Sequence, residues 1–155
     1  MVVHNDRAYL FTGRSRIDFF DLITETWGSF ATTFKRNDGL YGSDPWPFPN
    51  DMLRDYAIQM VDGKLYVFGG SNDKAALGSN LFIVLDIEKR QWEKLSGTVE
   101  PKADNKCPGP RHCATSWVDE FDGRIMLMYG EADRQSAKIA GQPNAGYNGY
   151  GYDDL

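Results

Sequence analysis

Two histidines and two cysteines are the residues best suited to metal or redox chemistry in this 155-residue sequence. His112 and Cys113 are adjacent, Cys107 lies just before them, Tyr147 and Tyr150 follow, and His4 stands at the other end. Imidazole, thiolate and phenolate together would suit zinc or copper. No ligand spacing ties them together, however, and the Cys-x5-Cys interval matches no standard zinc pattern. No metal and no cofactor is therefore assigned, and Cys113 reads as a small buried hydrophobe. There is no Walker loop, no nucleotide-binding glycine pair before a helix and no nucleophile elbow, so no catalytic residue is assigned either.

What remains is recognition chemistry. Arg54 and Arg111 carry planar guanidinium forks that grip carboxylates in pairs; each could equally be held in a structural ion pair with Asp55 or Glu131. Glu131, Asp133 and Arg134 form a charged run. Asp44-Pro45-Trp46-Pro47-Phe48-Pro49 is stiffened by prolines, and Ala145–Tyr152 interleaves Tyr with Gly, a composition suited to adaptable contacts. Trp46, Tyr147 and Tyr150 are candidate binding anchors. Alternatively these aromatics fold back and pack the loops onto the body of the protein.

The elements that must position these residues come from a repeat. Asn5–Gly13, Asp62–Gly70 and Asp122–Gly130 each place a tight polar turn and a basic residue before an apolar strand that ends in glycine. The Asp-Gly pairs of the second and third are hairpin-turn chemistry. After the first two glycines, Phe19-Phe20-Asp21 leads to Trp27 and Val84-Leu85-Asp86 leads to Trp92, with the same Asp-to-Trp spacing. A strand precedes each of these segments: Tyr56–Val61, Cys113–Val118, and a strand cut short at Val2-Val3. Four strands linked as a meander make the blade of a β-propeller.

The order strand, Asp-Gly turn, strand ending in Gly69-Gly70, strand ending in Asp86, turn, Trp92 resembles the kelch motif. Gly13, Asp21 and Trp27 repeat it with a single glycine, and Gly130 marks a third copy. The resemblance implies an all-β fold of kelch-type propeller blades, each a four-stranded antiparallel meander, in an incomplete ring. The expected organisation is a partial blade at 1–30 (strands two to four), an inter-blade loop at 31–55, a complete blade at 56–95, and a further loop plus half a third blade at 96–155. Kelch repeats run to about 50 residues and propellers close with about four to eight blades. The chain is thus expected to be part of a longer protein or to complete its ring by self-association.

Strand parity puts the long segments Ala31–Asp55, Ser71–Ser79, Ser96–Arg111 and Glu131–Asp153 on one rim and the short turns on the other. Long loops on a rigid scaffold concentrate binding residues. Arg54 and Arg111 each stand just before a first strand, at places expected to be equivalent in two blades, and in some kelch proteins a ring of arginines reads acidic peptides. The resemblance therefore implies a protein-binding scaffold with an unidentified protein partner. Its rival is a propeller enzyme of the galactose-oxidase superfamily, a copper oxidase or sugar isomerase, for which Cys107, His112, Cys113, Tyr147 and Tyr150 supply the residue types. A third alternative is a kelch module of a protein whose zinc-finger or catalytic domain lies elsewhere.

Composition agrees with a globular reading: 41% hydrophobic, 25% charged and 14% aromatic, the last favouring strands. A net charge of -5 without a basic stripe argues against a nucleic-acid surface. No apolar run approaches membrane-spanning length, and no signal peptide or glycosylation sequon appears, so the expected compartment is cytoplasmic or nuclear.

Overall fold

The computed structural model describes residues 1–36, 39–42, 46, 53–72, 79–99, 108–132 and 150–151, the last two by their backbone pairing. No helix occurs among them.

The first sheet is a four-stranded antiparallel meander of β1 (Val2–His4), β2 (Arg7–Phe11), β3 (Arg16–Asp21) and β4 (Thr26–Ala31). β1 is only three residues long, yet Val2 pairs with Tyr9 and His4 with Arg7, so the first blade does contain a first strand. The second meander is β7 (Ala57–Val61), β8 (Lys64–Phe68), β9 (Phe82–Asp86) and β10 (Gln91–Ser96). A third begins with the hairpin β11 (Thr115–Val118) and β12 (Ile125–Met128). Glu131–Ala132 (β13) and Tyr150–Gly151 (β14) form a separate short pair.

The Asp that ends each third strand builds the turn that follows. The Asp21 carboxylate accepts the backbone N–H groups of Ile23 and Thr24 at 3.1 and 3.0 Å, and that of Asp86 accepts Lys89 N–H at 2.9 Å. These backbone donors are the first cause holding both carboxyls below the usual carboxylate range.

The second sheet shows one face to each of its neighbouring sheets. In the second blade, Leu65, Val67, Ile83, Leu85 and Trp92 are buried against the first blade, where Tyr9, Phe11 and Ile17 meet them. Trp92 lies 5.2 Å from the Phe11 ring, and its Nε1–H donates to Thr32 Oγ1 at 2.9 Å. Tyr66, Phe68 and Phe82 face the third blade across a cavity of about 120 Å³ also lined by Ile125 and Leu127. Gln59 bridges this junction by donating to Ser116 O at 2.7 Å.

The segment after β4 does more than connect blades. Thr33–Lys35 (β5) pairs in parallel with β10, and Tyr41–Gly42 (β6) pairs with β5, so the second blade grows to six strands. Glu93 on β10 holds this addition by accepting from Lys35 Nζ at 2.8 Å and from Tyr41 Oη. The edge of β10 is covered rather than exposed, which removes a template for unwanted strand pairing.

Candidate functional site

The short turns gather at one rim. Residues 4–7, 21, 23, 24, 62–64 and 86–88 border a common groove of about 770 Å³. At the other rim the chain enters each blade, and a ladder of backbone hydrogen bonds fixes the entry points. Arg54 and Ser71 exchange N–H···O bonds of 3.0 and 2.8 Å. His112 and Glu131 do the same at 2.8 and 2.9 Å, while Gly70 N–H donates to Arg111 O at 2.9 Å.

Glycines are required where these segments cross. Gly69 has φ +69°, and a Cβ there would lie 2.4 Å from the Arg111 carbonyl oxygen. Gly13 has φ +79°, and its Cβ would fall 2.0 Å from the Leu53 nitrogen. Gly13 and Gly69 thus make room for the backbone that enters the next blade. Gly70 and Gly130, at φ +90° and +103°, make room for the backbone that enters their own blades, beneath the Arg54 and His112 carbonyls.

This ladder corrects the equivalence expected for the two arginines. Arg54 bridges Ser71 as His112 bridges Glu131, and Asp55 and Cys113 share φ +55°. Arg54 therefore corresponds to His112, and Arg111 corresponds to Leu53. A shift of one residue reverses the direction of a side chain. Arg54 is exposed, whereas Arg111 is buried and donates to the carbonyls of Gly109 and Tyr129 at 3.1 and 3.0 Å.

Trp46 is likewise a core residue and not an exposed anchor. Its ring packs 5.6 Å from Trp92, 5.7 Å from Phe34 and 6.3 Å from Phe11, and its Nε1–H donates to Gly13 O at 3.2 Å. Glu131 is exposed on the rim beside His112. Tyr147, Arg134 and Cys107 lie outside the described residues, and Tyr150 is placed by its pairing with Ala132.

One constellation was hidden in the sequence. Cys113 N–H donates to Asp55 O at 2.7 Å, and ligand atoms of Asp55, His112 and Cys113 all lie within 4.8 Å of one another. His112 Nδ1 is 3.2 Å from Cys113 Sγ. Cys113 is exposed, contrary to its expected burial. Desolvation, then the charges of Asp55 and Glu131, push its thiol up. Asp55, at the entry of the second blade, lies 57 positions before His112, at the entry of the third, so only strand register could have found it.

Residues 53–98 match the family described as Kelch motif, a span that contains the whole second meander. No curated protein matches the chain. A solved structure titled "Structure of YjhT" is similar at 13% identity and a TM-score of 0.48, over 84% of this chain and 32% of that one. This chain thus spans about a third of that protein's length.

Proposed function

We propose that this chain, an all-β protein built from kelch-type blades, serves as a protein-binding scaffold whose working face is the long-loop rim. The observation that carries this reading is the exposure of Arg54, where the chain enters the second blade, and of Glu131, which bridges the entry of the third at His112. The bridges to Ser71 and His112 fix the backbone of both residues, so little ordering cost falls on binding. Arg54 offers a guanidinium to an acidic stretch of a partner. Tyr147, Tyr150 and Arg134 belong to the long segment after Glu131 and supply further contacts.

A charge-reversal comparison tests the choice of rim. Arg54→Glu should abolish capture of the partner by the chain. Lys64→Glu, an exposed change on the opposite rim, should leave capture intact. Equal capture by the two variants would remove the long-loop rim from recognition.

A further inference from the structure

Asp55, His112 and Cys113 bring a carboxylate, an imidazole and a thiol together at the junction between the second and third blades. The geometry points to a binding site for a zinc-class divalent cation held by Asp55 Oδ, a His112 ring nitrogen and Cys113 Sγ.

Zinc ligands at about 2.0–2.3 Å from the ion sit roughly 3.3–3.8 Å from one another when tetrahedral. His112 Nδ1 and Cys113 Sγ are already 3.2 Å apart, and all three ligand atoms fall within 4.8 Å, so small side-chain rotations close the set. The backbone holds it ready. Cys113 N–H is bonded to Asp55 O at 2.7 Å, and His112 is bonded in both directions to Glu131. Ser71 Oγ donates to Asp55 Oδ2 at 3.4 Å, an outer partner that orients the carboxylate.

Ligand type selects the ion. A thiolate and an imidazole favour zinc over magnesium or calcium, which take oxygen ligands. Three protein ligands leave the fourth tetrahedral position to solvent. The bound ion would fasten the entry of the second blade to that of the third, independently of any protein partner on this rim.

Cobalt(II) titration of the tag-free full chain tests the site, because a cobalt–thiolate bond gives a charge-transfer absorption that oxygen and nitrogen ligands do not. The expected result is one equivalent of cobalt with that band, displaced by zinc. Cys113→Ser should erase the band, and Cys107→Ser should keep it. Even outer-sphere changes cost about 10- to 100-fold in metal affinity, so Asp55→Ala and His112→Ala should each weaken binding by at least about tenfold. Both carry exposed or half-exposed side chains, so they retain the readout if the cysteine variant misfolds, with circular dichroism as the folding control. The proposal is overturned by a missing band, by a band that survives Cys113→Ser, or by affinities indifferent to Asp55 and His112.

Discussion

Trp27 and Trp92 stand at the same step of successive blades, Trp27 opposite Phe20 and Trp92 opposite Leu85, yet Trp27 is 66% exposed and Trp92 is 0% exposed. The difference comes from what each face meets. Trp92 points at the first blade and is enclosed by Phe11 and Trp46. Trp27 points away from the second blade and touches the Phe20 ring at 5.2 Å.

The two tryptophans should therefore respond very differently to truncation. Removing a buried Trp costs about 3–5 kcal/mol, since the cavity adds to the lost transfer energy. Trp92→Ala should lower stability by about that much in urea denaturation. Trp27→Ala should cost no more than about 1.5 kcal/mol, the upper range of an aromatic pair such as Trp27–Phe20. Equal losses would mean that the blade order around Trp92 is wrong.

Exposure of Trp27 has a second consequence. Val3, at 59% exposure, lies on the same face, three pairings away through Ala8 and Phe20. Apolar faces of this kind drive association. The 155-residue chain should self-associate in sedimentation velocity, and Trp27→Ser should shift it toward monomer. A wild-type monomer at high concentration would contradict this expectation.

Gly69, at the end of the second blade's second strand, should tolerate no side chain. Gly69→Ala sets a methyl 2.4 Å from the Arg111 carbonyl oxygen and forces a residue with Cβ to φ +69°. A loss above about 2 kcal/mol is expected, because strain and overlap combine. Gly123 has the same φ of +69° with nothing near its Cβ position, so Gly123→Ala should cost only about 1–2 kcal/mol. Thermal or urea midpoints of the two variants separate steric from conformational cost.

Acid should weaken the turns built by Asp21 and Asp86. Both carboxyls are held low, first by backbone N–H donors and then against partial desolvation, with Arg7 and Lys89 adding to the effect. A carboxyl whose folded value lies below its unfolded value of roughly 4 contributes stability above that pH. The contribution disappears as pH falls through the lower folded value. Stability should therefore drop below about pH 4, and the double variant Asp21→Asn, Asp86→Asn should show a smaller drop between pH 5 and pH 2. Identical pH profiles would remove these carboxylates from the acid response.

The repeat was legible in the sequence because its parts are local. Asp21 and Asp86 cap turns three residues away, and a glycine, an Asp and a Trp mark the first two blades in order. Long-range placements were not legible. Whether Trp46 turns inward depends on a slot between Phe11, Phe34 and Trp92, residues from three separate strands or segments. The parallel addition of β5 to β10 leaves no periodic signature in three residues. The arginine equivalence failed by one position, since only the bridges to Ser71 and Glu131 define the register at the rim. The same register hid the Asp55–His112–Cys113 cluster, whose ligands arrive from two different blades.

Site-specific photo-crosslinking tests the scaffold reading most directly. A photoreactive residue placed at Arg54 or Glu131 samples the long-loop rim, and one at Asp62 or Glu88 samples the short-turn rim. Discrete crosslinked protein species should form from Arg54 and Glu131 and not from Asp62 or Glu88. Crosslinks confined to the short-turn rim, or equal from both, would contradict a binding face built on the long loops.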